Sequence, residues 1–269
     1  MIQELIKGVQ KMLGSIAGDI IGSVYEHHNI KTAEFELFGR ECKFTDDSVL
    51  TAATADAIMS GSDYTSKYKE YYNYYPEAGY GKKFIKWANS DSMEPYGSFG
   101  NGSAMRVSPV AYAFDTLEKV LAEAEKTAAA THNHPEGIKG AQAVAAAIFM
   151  SRSGIEKNEI KTYIETNFKY DLDRSISSIR KNYRFDVSCQ GSVPQSIRAF
   201  IESTDFESAV RLAVSIGGDS DTIACIAGGI AEAYYKEIPE GVKTKALEKL
   251  DDRLKLVVTR FYEKYIQNI

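Results

Sequence analysis

What this 269-residue chain lacks narrows it first. Its three cysteines, Cys42, Cys189 and Cys225, are odd in number and far apart. They make neither a disulfide framework nor a Cys-x-x-Cys metal spacing, a pattern that favours a reducing compartment. No apolar run approaches the ~20 residues of a membrane span. The opening MIQELIKGVQ has neither the apolar stretch nor the cleavage pattern of a secretory leader. The expectation is a cytoplasmic protein without membrane contact. No Lys/Arg block stands out and the net charge is −5, so general nucleic-acid binding is not expected either. Strand signals are missing: nothing alternates convincingly, and no β-branched runs bounded by turns recur. The six prolines sit mostly between periodic segments, and no low-complexity stretch divides the chain.

What is present is helical periodicity over a composition that is 44% hydrophobic, ample for a core at this length. TAATADAIM (51–59), LEKVLAEAEKTAAATH (117–132) and GAQAVAAAIFM (140–150) carry apolar residues at three- and four-residue intervals. From about Lys243, residues Leu247, Leu250, Leu254, Val257, Phe261 and Tyr265 form one stripe. Cys225, inside an apolar helical run, reads as core. The tyrosine-rich stretch at 64–81 reads as an amphipathic helix ending near Pro76, with an aromatic lid or an oligomer contact as the alternative. The predicted architecture is all-α, roughly ten or more helices in a single compact domain covering 1–269.

Four constellations stand out. In IGGDSDTIACIAGG (216–229) two glycines lead into Asp219, Asp221 and Thr222 at the start of an apolar helix. Helix capping explains one carboxylate well and a second adequately; an oxygen-ligand Mg²⁺ or Mn²⁺ site explains both. FTDDSVLTAATADAI (44–58) repeats the arrangement with Thr45, Asp46 and Asp47, whose adjacent carboxylates diverge by about 100° in a first turn. Two such clusters side by side would raise each other's pKa unless divalent cations neutralised them. In GSIAGDIIGSVYEHH (14–28), helical spacing puts Ser15, Asp19, Gly22 and Glu26 on one face, small and acidic where a core helix would carry leucine. Tight helix packing with a solvated edge is the plainer reading. YGSFGNGSAMRVSPVA (96–111) is a glycine-rich loop ahead of a helix expected from Ala104, able to cradle phosphate but matching neither a P-loop nor a dinucleotide fingerprint. His132 and His134 in THNHP have no partners at zinc spacing.

Taken in order, GSIAGDIIGSVYE, FTDDS, GSFGNGSAMRVSPVA, THNHPEG, GSVPQSIRAF and GGDSDTIACIAGGIAEAYY resemble the ADP-ribosylglycohydrolase family across Gly14 to Tyr235. The resemblance implies an all-α fold with a binuclear Mg²⁺ or Mn²⁺ centre at the base of an ADP-ribose cleft. It makes Thr45, Asp46, Asp47, Asp219, Asp221 and Thr222 the metal ligands. Ser98, Phe99, Gly100, Asn101, Gly102 and Ser103 become diphosphate and ribose contacts, His132 lines the same cleft, and Ser192, Val193 and Pro194 form a further loop near the nucleotide. The implied reaction is hydrolysis at C1″ of the distal ribose, with Glu26 as general acid or base, Asp47 as the alternative, and Asp19 in support. The implied substrate is an ADP-ribosylated protein or a small-molecule conjugate, with ADP-ribose as product; the linkage stays open among arginine, serine, poly-ADP-ribose, nucleobase and O-acetyl-ADP-ribose, with arginine-linked or small-molecule conjugates favoured. Linkage specificity would lie in peripheral loops such as 28–43 and 61–96. The competing readings are a non-catalytic ADP-ribose-binding protein, disfavoured by the intact clusters, and a phosphate-ester hydrolase, which would more typically carry histidine ligands. An EF-hand fails because its third ligand position is Ile223.

Overall fold

The computed structural model describes residues 13–266; the leader reading of the first ten residues lies outside them. Helices make up the described chain, and the only β-type pairing among those residues is an isolated bridge between Gly100 and Ser188. One apolar cluster runs from Leu13 to Ile266.

The helix Ser220–Tyr235 is the axle, buried on every face from Ser220 to Ala233. The helices Phe206–Ile216, Cys189–Glu202 and Pro135–Arg152 flank it. The first described helix, Leu13–Gly22, lies along it on a seam of glycine. A Cβ on Gly14, Gly18 or Gly22 would sit 2.4, 2.1 or 2.5 Å from the backbone oxygens of Gly228, Ala224 and Ser220. Only residues without a Cβ let two backbones approach so closely. All ten residues of that first helix are buried, so the solvated edge read from its sequence is absent. The buried carboxylate of Glu232 closes the far end of the seam, accepting from the N–H groups of Leu13 (3.1 Å) and Gly14 (2.9 Å).

Three expectations need correction. The C-terminal stripe is two helices, Glu240–Lys249 and Asp252–Tyr265, because Asp251 stops the run and caps the second by accepting from Leu254 N–H at 2.9 Å. Ser192, Val193 and Pro194 belong to the helix Cys189–Glu202, with Pro194 inside it at the sixth position, where it removes one intrahelical N–H donor. The 61–96 region contains two helices, Tyr64–Tyr74 and Lys82–Ala88. The tyrosine-rich helix ends before Pro76 and buries Tyr68, Tyr71 and Tyr72.

Candidate active site

Two helix starts meet at the base of a cleft of about 690 Å³. At the first, the helix Asp46–Ser60, the N-cap Thr45 accepts from Asp47 N–H at 3.3 Å and shares the capping with a residue of another helix. Asp19, fully buried on the neighbouring helix, accepts from the N–H groups of Thr45 (2.9 Å) and Ser48 (3.1 Å), from the Thr45 hydroxyl (2.6 Å) and from the Ser48 hydroxyl. Asp19 is thereby the brace that holds this turn, and Asp46 and Asp47 are free to face the cleft. At the second, glycines 217 and 218 both take positive φ (73° and 79°), a reversal that side chains with a Cβ resist. It delivers Asp219 to the N-cap position, yet its carboxylate makes no capping bond. It turns instead to Asn101, whose Nδ2 donates to Asp219 Oδ2 at 2.6 Å and to Ser192 Oγ at 2.9 Å.

The carboxylates converge. One oxygen each from Asp19, Asp47 and Asp221 lie within 4.8 Å of one another, and so do one each from Glu26, Asp219 and Asp221. Asp221 belongs to both trios. The hydroxyls of Thr45 and Thr222 each reach Asp47 Oδ2 at 3.4 Å, while Asp47 Oδ1 is buried with no hydrogen-bond partner. Burial first, then neighbouring carboxylates, pushes Asp46, Asp47 and Asp221 well above the ordinary carboxylate range. Glu26 is raised likewise, by burial and then by Asp219. A third acidic trio, Glu165, Asp171 and Asp173, is different in kind. The Lys161 ammonium lies 2.8 Å from Glu165 and 2.7 Å from Asp173, and supplies countercharge there.

Glu26 reaches the site by another route than its spacing implied. The first helix ends at Gly22, and Glu26 stands in the turn that follows, not on the face of Ser15 and Asp19. Asn29 pins that turn: its Nδ2 donates to the carbonyls of Tyr25 (2.7 Å), Glu26 (2.8 Å) and Gly218 (3.1 Å), and its Oδ1 accepts from Gly218 N–H. The Ser220 hydroxyl donates to the Tyr25 carbonyl at 3.1 Å. Glu26 is thus tied to the turn that carries Asp219.

Of the glycine loop, Ser98, Gly100, Asn101 and Gly102 line the cleft, as does His132. Three expected contacts sit elsewhere. Ser103 is fully buried and donates to the Gly137 carbonyl at 2.7 Å, Val193 is fully buried in its helix, and Phe99 is 48% exposed outside the cleft lining, its ring 5.3 Å from that of His134. The helix of this segment begins at Gly102, not Ala104. Sequence reasoning passed over Asn29, Lys43, Phe84, Tyr96 and Arg106. Tyr96 and Arg106 stood within a quoted motif, but nothing in the linear pattern set them apart, and the others lie in stretches whose roles depend on tertiary proximity. Phe84 and Tyr96 join a run of rings, Tyr80–Phe84–Trp87–Tyr96–His132, with successive centroids 5.0 to 6.0 Å apart, of which Phe84, Tyr96 and His132 line the cleft.

The helical fold thus gathers buried carboxylates from two helix starts, a cluster of hard oxygen donors, at a glycine-edged cleft. Comparison with known proteins gives it a family. A sequence profile of the ADP-ribosylglycohydrolase family matches residues 4–268, and the chain belongs to that family of hydrolases. It is 24% identical to ADP-ribosylhydrolase ARH3 of Xenopus tropicalis, across 84% of this chain and 86% of that protein. It is also 24% identical to ADP-ribosylarginine hydrolase Tri1 of Pseudomonas putida (strain GB-1), across 87% of this chain and 71% of that one. A solved structure titled ADP-ribosylglycohydrolase-related protein complex shares the fold, with a TM-score of 0.69 at 23% identity, covering 97% of this chain and 98% of that one.

Proposed function

We propose that this protein is a divalent-cation-dependent hydrolase that cuts the bond between C1″ of an ADP-ribosyl group and its acceptor, releasing ADP-ribose. The observation that carries the reading is the pair of carboxylate trios sharing Asp221, with Asp47 Oδ1 buried and unpartnered beside the cleft. Oxygen donors without histidine or cysteine suit Mg²⁺ or Mn²⁺. The residues fit such ions: Asp46, Asp47, Asp219 and Asp221 would hold two of them, with the Thr45 and Thr222 hydroxyls in reach. When bound, they supply Lewis-acid polarisation of a water and orientation of ribose hydroxyls.

The chain's own residues do the rest. Asn101 fixes the Asp219 carboxylate and so the geometry between the metal site and the glycine loop. Ser98, Gly100 and Gly102 offer a wall without bulk against which a diphosphate can lie. Glu26, partly open to the cleft and raised above the usual glutamate range, is placed to move the proton that must leave the attacking water or reach the departing acceptor. Asp47 is the alternative for that role. The ADP-ribosylarginine named for the Pseudomonas putida relative makes an arginine linkage the first acceptor to try.

The test is release of ADP-ribose from arginine-, serine- and nucleobase-linked conjugates in Mg²⁺, Mn²⁺ or EDTA, beside Asp221→Ala. Release that requires a cation and disappears in the variant is expected. Undiminished release in EDTA would overturn the metal assignment, and binding of ADP-ribose without release from any linkage would favour a binding protein.

A further inference from the structure

Among the described residues Arg106 is the largest fully buried side chain, and it forms no ion pair with a carboxylate there. Its Nη2 donates to the Thr127 carbonyl and to Thr131 Oγ1, both at 2.8 Å; its guanidinium lies 4.0 Å over the Tyr68 ring; its Nε and Nη1 have no hydrogen-bond partner. Thr131, also fully buried, stands 2.7 Å from His132 Nδ1. A guanidinium can only donate, so Thr131 Oγ1 accepts from it. The one further partner found for the Thr131 hydroxyl is His132 Nδ1. If Nδ1 carried a proton, two donors would point at Oγ1 and the buried threonine proton would have no acceptor, which disfavours that arrangement by about tenfold or more. If Nδ1 is bare, it accepts the threonine proton, the Thr131 hydroxyl is satisfied both as acceptor and as donor, and the imidazole proton sits on Nε2.

Nε2 is the edge that meets the glycine loop. A Cβ on Gly102 would come within 3.2 Å of it, and one on Gly100 within 3.6 Å. Behind the ring, a Cβ on Gly137 would come within 2.9 Å of His132 Cβ. The histidine is clamped from behind and left uncovered in front. Burial, then the nearby Arg106 charge, holds the imidazole well below the usual histidine range, so it is neutral and the choice lies between two tautomers.

We propose that Arg106 and Thr131 are positioning residues that fix His132 as the Nε2–H tautomer, which presents a hydrogen-bond donor to an anionic oxygen of the ADP-ribosyl diphosphate. The uncompensated Arg106 charge lining the same cleft adds a preference for an anion over a neutral acceptor. His132 therefore binds and orients, and takes no proton from water. The ligand half rests on the ADP-ribosyl reading above; the tautomer half does not.

The experiment is long-range ¹H–¹⁵N NMR on full-length protein with ¹⁵N-histidine in Mg²⁺, His132→Gln assigning its signals among the four histidines. It is paired with titration of ADP-ribose and with turnover. Wild type is expected to show a protonated Nε2 and a bare Nδ1. Thr131→Val is expected to lose that preference and weaken ADP-ribose binding about tenfold, raising KM with kcat within about threefold, and Thr131→Ser is expected to restore both. A wild-type proton on Nδ1, or Thr131→Val with unchanged tautomer and affinity, overturns the proposal. The expected tautomer in a wild type that does not bind ADP-ribose overturns the ligand half together with the ADP-ribosyl reading.

Discussion

Gly18→Ala tests whether the helix seam sets the geometry of the carboxylate cluster. The added methyl would lie 2.1 Å from the Ala224 carbonyl oxygen, 2.5 Å from its carbon and 2.8 Å from the Cys225 nitrogen. All three are backbone atoms of the buried axle helix, so no side-chain rotation can relieve the clash. Carbon contacts settle near 3.5 Å or beyond, so the helices must part by roughly 1 Å or more. Overpacking of this kind costs about 1–3 kcal/mol, which in a chain of this size lowers Tm by roughly 5 °C. The larger effect falls on the site. Asp19 is the next residue, and through Thr45 and Ser48 it carries the turn of Asp46 and Asp47; Asp221 sits on the other helix. Parting the helices therefore separates the two carboxylate groups, and a misplacement of about 1 Å can cost on the order of a hundredfold in rate. Gly39→Ala, where a Cβ meets nothing within 4 Å and φ is not positive, is the control. The assay is thermal unfolding beside ADP-ribose release. A Gly18→Ala protein matching wild type in both would refute the seam argument.

Other perturbations probe separate links. Asn29→Ala removes the bracket between the Glu26 turn and Gly218; kcat should fall about tenfold or more, with near-normal cation-induced stabilisation in calorimetry, since no metal ligand is touched. Asp221→Asn relieves like-charge repulsion in the bare site, so in EDTA its Tm should equal or exceed that of wild type, while the rise on adding Mg²⁺ should vanish. Lys43, Lys82 and Lys83 line the cleft without an ion pair among the described residues. Reversing Lys82 and Lys83 to Glu should slow release from phosphate-bearing acceptors more than from arginine, and the difference should shrink in high salt. Lys157 donates to the carbonyls of Phe200 (3.0 Å), Ile201 (3.3 Å) and Ser203 (2.6 Å) and to Tyr235 OH (2.7 Å), closing a helix end. Lys157→Met should destabilise by about 1–3 kcal/mol in urea unfolding and leave activity intact.

The helices were legible because apolar periodicity is a local property, and the acidic clusters because each occupies a few consecutive residues. What failed to read were the terminations and the long-range ties. Asp251 looks like one more charge on the polar face of a long helix until its carboxylate is seen on Leu254 N–H. Glu26 fits the spacing of the first helix, but that helix stops at Gly22, and only the Asn29 bracket returns Glu26 to the site. Arg106 looked like an ordinary helix residue, since nothing in its neighbours signals a guanidinium buried without a carboxylate. In each case the deciding contact joins residues whose relation exists only after folding.

Asp219 sharpens this, because here the local rule and the structure disagree. Elsewhere the residue types favoured at helix starts do cap: Asp63 accepts from Ser66 N–H, Thr116 from Lys119, Ser175 from Ser178, Ser188 from Gly191, and Asp205 from Ser208 within a full capping box. Asp219 holds the same position, with two positive-φ glycines spent on bringing it there, yet makes no capping bond, and the Thr222 N–H donates to Asp221 Oδ1 at 3.0 Å instead. A cap of this kind contributes about 1 kcal/mol, and burial raises the Asp219 pKa even though the Asn101 hydrogen bond favours the charged form. Stability alone would select the capping rotamer, or replace the residue. Departures from local consistency are expected at functional sites, which agrees with the role proposed for this cluster. It predicts that Asp219→Ser, which can cap but cannot supply a carboxylate, keeps or gains thermal stability in EDTA while losing cation-dependent ADP-ribose release. A destabilised, active Asp219→Ser would return this residue to a structural role.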